Sequence, residues 1–159
     1  MRLWHYDLIR YLPDKLLKHQ FKDCCKIAKT IMYKGKIHDH KVGYIFHYHY
    51  RDFLMYCDEV RRELVSRGCF LDDKACEDIR KYVLYSKALF VNDEDPAVHI
   101  HPVFSVKHNC RYLMQCLYRI QELYDDYCIT DEEYDRFWGG CMSVAQQYTG
   151  INYFDIMTK

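Results

Sequence analysis

Five lysines recur every three or four residues near the amino terminus, and one aspartate, Asp23, lies among them. On a helical wheel the lysines fall about 100 to 180° from an apolar stripe that begins at Leu17, so they would line one exposed helix edge. Asp23 falls about 60° beyond Lys26, at the margin of that edge. Such a row of ammonium groups suits a phosphate backbone, although lysine is also favoured at any solvated helix position. The members of this lysine edge are Lys15, Lys18, Lys22, Lys26 and Lys29.

The amino terminus is a second candidate for chemistry. Because Arg2 follows Met1, we expect Met1 to be retained with a free α-amine. An α-amine loses its proton at lower pH than a lysine does, so a larger fraction is neutral and nucleophilic at cellular pH. Most proteins share this property, and it matters only if a carboxylate and a phosphate-binding surface lie beside the amine.

Three His-x-His pairs and several aromatic side chains form a third candidate. Two imidazoles two residues apart meet on one face of a strand and could bind zinc. These segments do not have the pattern of strands and lack a fixed Cys/His spacing, so we expect no metal site. Stacking on DNA bases and packing among the tyrosines are the alternatives. The pairs are His38 with His40, His47 with His49 and His99 with His101, and the aromatic residues are Trp4, Tyr6, Tyr44, Phe46, Tyr48 and Tyr50.

Composition limits the class of protein. The 159 residues are 50% apolar and include only six glycines and three prolines, which favours a single helical domain over a disordered chain. The nine cysteines are an odd number without a CxxC motif, so we expect reduced thiols. Since no apolar run reaches the roughly 20 residues needed to span a bilayer, we expect a soluble, cytoplasmic protein.

A net charge of zero hides an asymmetry between the two ends of the chain. Residues 1–43 carry ten Lys/Arg against four Asp/Glu, whereas residues 44–159 carry thirteen against nineteen. The basic end is a candidate surface for a polyanion. The near-neutral total argues against a strong non-specific nucleic-acid binder.

Apolar periodicity predicts five helices. The first would start at Pro13 and end at Gly35, and the others are expected at about 50–67, 73–90, 106–127 and 131–148. TDEE, at 130–133, has the pattern of a capping box. Residues 1–12 are expected to be irregular, and 36–49 to be a loop with a short helix at about 41–47. The predicted inward residues are Leu17, Phe21, Cys24, Ala28 and Ile31, then Phe53, Leu54, Cys57, Val60 and Leu64, then Leu113, Cys116, Leu117, Ile120 and Leu123.

Several stretches, in this order, resemble the pyrimidine dimer DNA glycosylase family. They are MRLWHYDLIRYLP, LLKHQFKDCC, DHKVGYIFHY, ELVSRGC and KHNCRYLMQCLYRIQEL. The chain is similar above all to the bacterial branch of the family, whose members open with MRLWH. The resemblance covers residues 1–127 of a single domain, 1–159, and leaves 128–159 as a C-terminal helical extension. It implies an all-α fold, a compact bundle of about four to five helices with the irregular amino-terminal segment inserted between them.

For function, the resemblance implies a DNA repair glycosylase that is also an abasic-site lyase. The α-amine of Met1 would attack C1′ of a damaged nucleotide flipped out of double-stranded DNA and form a Schiff base. Asp23, at the position of the family's catalytic glutamate, would stabilise the imine and move protons. Arg2 and the lysine edge would bind DNA phosphates, with no cofactor and no metal ion. Lys22 and Lys26 stand where the family has arginines, and a lysine keeps the charge but not the bidentate geometry.

Two other functions remain open at this point. One is a nucleic-acid-binding helical protein that shares the fold and the lysine edge but has little or no catalytic activity. The other is a histidine-rich metal-binding domain. Salt-dependent DNA affinity without cleavage would indicate the first, and metal recovered on purification would indicate the second.

Overall fold

The computed structural model describes residues 1–91 and 102–149, and the side chains of 145, 148 and 149 are not described. These residues form five α-helices and three short 3₁₀ helices, so the prediction of an all-α fold is confirmed. None of the described helices is long and apolar enough to cross a membrane. The α-helices are α1 (Asp14–Lys34), α2 (Tyr50–Ser66), α3 (Asp73–Tyr85), α4 (Cys110–Asp125) and α5 (Asp131–Thr149), and the 3₁₀ helices are Tyr6–Tyr11, Gly43–His47 and Lys87–Leu89.

Helix α1 begins and ends where the sequence predicts. Pro13 precedes it and the acidic Asp14 lies in its first turn, where a carboxylate opposes the positive end of the helix dipole. Gly35 follows its last residue with φ +61°, a left-handed conformation that glycine adopts without steric cost. The predicted apolar stripe is confirmed, because its five members are all buried: Leu17, Phe21, Cys24, Ala28 and Ile31.

The chain divides into two compact units, and the first comprises Met1–Leu3 and Asp14–Ser105. In this unit α1 packs against both α2 and α3, and α2 packs against α3 and the 3₁₀ helix Gly43–His47. Removal of apolar side chains from water is the main source of stability for such packing. The fully buried contributors from α2 and α3 include Phe53, Tyr56, Val60, Leu64 and Val83.

The second unit comprises Trp4–Pro13 and Val106–Lys159, of which residues 4–13 and 106–149 are described. Here α5 packs against α4 and against the 3₁₀ helix Tyr6–Tyr11. The predicted capping box is confirmed, because the Thr130 N–H donates to Glu133 Oε2 at 3.0 Å and the Glu133 N–H donates to Thr130 Oγ1 at 3.3 Å.

A buried pair of histidines joins the two segments of the second unit. His5 and His108 are 1% and 4% exposed, and their rings stack with centroids 5.2 Å apart. His5 Nε2 lies 2.8 Å from the His108 carbonyl oxygen, and the Tyr6 N–H donates to His108 Nδ1 at 3.0 Å. Desolvation lowers the pKa of His5, and it lowers the pKa of His108 to about 2. Both rings are therefore neutral, and both have a structural role.

Several predicted boundaries differ from the structure. Residues 1–12 are not wholly irregular, because Tyr6–Tyr11 form a 3₁₀ helix. The helix expected at 73–90 ends at Tyr85, and the one expected from 106 begins at Cys110, where Asn109 Oδ1 accepts from the Tyr112 N–H at 3.1 Å. Leu54 and Leu123, predicted to point inward, are only half-buried. The pair His99 and His101 lies outside the described residues, and the single domain stays a prediction.

Candidate active site

The α-amine of Met1 forms an ion pair in the first unit. Its nitrogen lies 3.0 Å from Asp39 Oδ2, and the two side chains are 14% and 28% exposed. Partial burial matters because it weakens the screening of this pair by water. The amine is thus held at one place on the protein and remains accessible to a ligand.

Asp39 is itself held by a turn. Its Oδ1 accepts from the Lys41 N–H at 3.0 Å, and its carbonyl oxygen accepts from the N–H groups of Val42 and Gly43 at 3.1 and 3.0 Å. This turn leads directly into the 3₁₀ helix Gly43–His47. Desolvation opposes ionisation of Asp39, but hydrogen bonds from the Met1 ammonium and the Lys41 amide outweigh it and hold the pKa of Asp39 below its usual value.

Asp23 lies beside Arg2, the residue that follows Met1. The Arg2 N–H donates to Asp23 Oδ2 at 3.4 Å, and the other carboxylate oxygen lies 3.9 Å from His19 Nε2. Asp23 comes from the middle of α1 and lies, as predicted, at the edge of the buried stripe. Its side chain is therefore only 13% exposed. Since one peptide unit separates the two nitrogens, the Met1 amine is within about 7 Å of the Asp23 carboxylate.

The lysine edge is accessible along its whole length. All five members are exposed, so their ammonium groups can reach an anionic surface in solution. Arg2 differs from them, because it is half-buried and its Nη1 atom is buried without a hydrogen-bond partner among the described residues. A buried guanidinium nitrogen of this kind is suited to a phosphate or carboxylate oxygen.

The histidine pairs do not form a metal site in the part of the chain that the structure describes. Among residues 1–91 and 102–149, no group of three or more His, Cys, Asp or Glu residues is placed to hold a metal ion. His49 instead has a structural role, because its Nδ1 accepts from the Arg51 N–H at 3.3 Å at the start of α2. Aromatic packing accounts for Tyr44 and Tyr48, whose rings contact Phe104 with centroids 5.5 and 5.2 Å away.

A protein-family model matches the amino-terminal part of the chain. Residues 1–78 match the pyrimidine dimer DNA glycosylase family. The resemblance is therefore confirmed for these residues, which include Met1, Arg2, Asp23, Asp39 and the lysine edge. No curated protein and no solved structure matches the chain. The matched family is described as one of DNA glycosylases.

Sequence reasoning did not identify Asp39. The residue is part of DHKVGYIFHY, one of the stretches that carry the resemblance, and this was the available signal. Its pairing with Met1 spans 38 positions of the chain, and no local periodicity encodes a contact of that length. The catalytic role of Asp23 and the DNA-binding role of the lysines stay predictions.

Proposed function

We propose that the protein is a DNA glycosylase with abasic-site lyase activity, in which the Met1 α-amine is the nucleophile and Asp23 assists it. The observation that carries this proposal is the placement of the amine. An amino-terminal nitrogen is usually mobile, whereas here it is paired with one carboxylate at 3.0 Å, and the next backbone N–H contacts a second carboxylate at 3.4 Å. The family match over residues 1–78 supports the same activity.

The reaction begins when the neutral amine attacks C1′ of the damaged nucleotide. The new N–C1′ bond forms as the glycosidic bond breaks, and the base leaves with the bonding electron pair and takes up a proton. Loss of the amine proton and opening of the deoxyribose ring, with a proton delivered to O4′, give the imine. Removal of a proton from C2′ then expels the 3′-phosphate and cuts the strand. Asp23 would stabilise the cationic imine and carry protons.

The lysine edge and Arg2 would hold the DNA. Each exposed lysine that neutralises a phosphate releases a condensed counterion, which favours binding at low salt. Arg2 follows the proposed nucleophile in the chain, and its guanidinium would pair with a phosphate of the damaged nucleotide. The substrate in this proposal is duplex DNA with a damaged nucleotide or an abasic site.

Borohydride trapping on duplex DNA with one abasic site tests the proposal. Borohydride reduces the imine to a stable secondary amine, so the expected product is a covalent protein–DNA adduct that peptide mapping locates at Met1. Intact mass should first establish that Met1 is the amino-terminal residue of the purified protein. Selective acetylation of the amino terminus is expected to abolish the adduct.

Two results would contradict the proposal. The first is the absence of any adduct from correctly folded protein that binds the duplex. The second is an adduct that forms equally well after the amino terminus has been acetylated. DNA affinity with a steep salt dependence and no adduct would support the alternative, a helical nucleic-acid-binding protein with little catalytic activity.

A further inference from the structure

We infer that Asp39 is the positioning residue of the nucleophile, which holds the Met1 nitrogen in place for its attack on C1′. This inference rests on the proposed function and adds a second carboxylate with a separate role. Asp39 contacts the amine itself, whereas Asp23 accepts from the N–H of the following residue. The two acids therefore reach the amino terminus from different elements, one from the turn after α1 and one from the middle of α1.

The Asp39 carboxylate is well placed to fix the direction of the amine. One of its oxygens is held by the Lys41 N–H, and its main chain is tied into the turn by two further hydrogen bonds. The other oxygen is thereby aimed at the Met1 nitrogen, 3.0 Å away. Loss of such a restraint is costly to catalysis, since a displacement of about 1 Å can lower a rate on the order of a hundredfold.

The charge of Asp39 suits this role. Desolvation opposes ionisation of Asp39, but hydrogen bonds from the Met1 ammonium and the Lys41 N–H outweigh it and lower the pKa of Asp39, so the carboxylate is ionised at neutral pH. Other charged groups near the pair are Asp23 through the Arg2 N–H, and His40 and Lys41 in the turn. The carboxylate therefore keeps the charge that holds the amine.

The variant Asp39→Asn tests this role, because it keeps the shape of the side chain and removes its charge. We expect the single-turnover trapping rate on abasic-site duplex to fall by about tenfold, since an amide holds the amine less firmly than a carboxylate. Asp39→Glu keeps the carboxylate and should recover the wild-type rate at least in part.

Asp14→Asn is the matched control. It removes a different ion pair, between Asp14 and Arg67 at 2.7 Å, in the same unit. The trapping rate should not change in this variant. A merely structural role for Asp39 would lower the amount of folded protein without lowering the trapping rate of each folded molecule.

A measurement without DNA keeps this inference separate from the proposed function. Amide hydrogen exchange at residues 2 and 3 reports whether the amino terminus is held in place. It should be faster in Asp39→Asn than in wild type and unchanged in Asp14→Asn. Wild-type exchange together with a wild-type trapping rate for Asp39→Asn would overturn the inference. Faster exchange in a protein that never traps DNA would show that Asp39 holds the amino terminus and would refute the proposed lyase.

Discussion

Charge has opposite roles at two sites, the amine end, where Met1 meets Asp39, and the buried histidine pair, where His5 stacks on His108. At the amine end, Met1, Arg2, Asp23 and Asp39 are half-buried, and Met1 and Asp39 meet as an ion pair. At the histidine pair, His5 and His108 are almost fully buried and neutral. Both Asp39 and His108 have a lowered pKa, which for the acid favours the charged form and for the base favours the neutral form.

This difference suits the amine end to a chemical role and the histidine pair to a structural role. The proposed nucleophile, the Met1 amine, must remain accessible and keep groups that exchange protons beside it, and a partly exposed ion pair meets both needs. A structural polar group must have its hydrogen bonds satisfied away from water, because a buried unpaired group costs about 1–3 kcal/mol. We therefore expect changes at the amine end to alter rate and changes at the histidine pair to alter folding.

The largest effect is expected for Asp23→Asn. The amide can still accept the Arg2 N–H but can neither stabilise a cationic imine by charge nor move a proton. The single-turnover trapping rate on abasic-site duplex should fall about a hundredfold or more, while the thermal midpoint stays unchanged. Asp23→Glu, which keeps a carboxylate, should lose less. A trapping rate for Asp23→Asn within threefold of wild type would remove Asp23 from the mechanism.

Acid should destabilise the protein through the histidine pair. The folded pKa of His108 is about 2 against 6.5 as its ordinary value, so below pH 6.5 the unfolded chain binds the extra proton and stability falls. Between pH 7 and 5 the loss from His108 alone is about 2 kcal/mol, and the lowered pKa of His5 adds to it. Urea unfolding at pH 7, 6 and 5 measures this slope.

Two variants show which site causes the acid effect. His108→Gln does not titrate and should flatten the pH dependence of the free energy of unfolding. Asp39→Asn should leave it unchanged between pH 7 and 5, because Asp39 titrates below its ordinary value of 3.8. The stability that the Asp39 carboxylate contributes is fully present above pH 3.8 and is lost only as the pH falls through the folded pKa of Asp39. Equal slopes for wild type and His108→Gln would exclude the histidine pair as the origin.

Adjacent glycines in α5 provide a matched pair of stability changes in the second unit. A Cβ on Gly140 would lie 2.3 Å from Tyr11 Cδ1, whereas a Cβ on Gly139 would meet nothing within 4 Å. We expect Gly140→Ala to destabilise by about 1–3 kcal/mol through overpacking. Gly139→Ala should stabilise by about 0.5–1 kcal/mol, because alanine favours the helix. Thermal unfolding measures both, and equal effects would mean that Tyr11 moves aside without cost.

The smallest effects are expected along the lysine edge. Lys22→Gln and Lys26→Gln should each reduce the slope of log affinity against log salt by about one, since each would remove one proposed phosphate contact. Neither variant should change the thermal midpoint, because both side chains are exposed. Lys87→Gln, at an exposed lysine outside α1, is the control and should leave the salt slope unchanged. Titration of a fluorescent duplex at several salt concentrations measures the slopes.

Prediction from sequence succeeded where the signal was local. The bounds of α1, its buried stripe and the capping box at Thr130 depend on residues three or four positions apart, and each is present in the structure. Boundaries were less accurate where the apolar pattern runs past the end of an α-helix. Helix α3 ends at Tyr85, and the 3₁₀ helix Lys87–Leu89 continues its apolar pattern. The sequence placed Asp23 near the amino terminus only through the resemblance.

The amino-acid sequence by itself determined the helices, the exposure of the lysine edge and the likeness to a DNA repair family over residues 1–78. Only the tertiary structure decided that Asp39, 38 positions away, pairs with the Met1 amine and that His5 is buried against His108, 103 positions away. The physical reason is that helix periodicity repeats within a few residues. The distant group that forms hydrogen bonds with an ammonium or a buried histidine ring depends instead on how the whole chain packs.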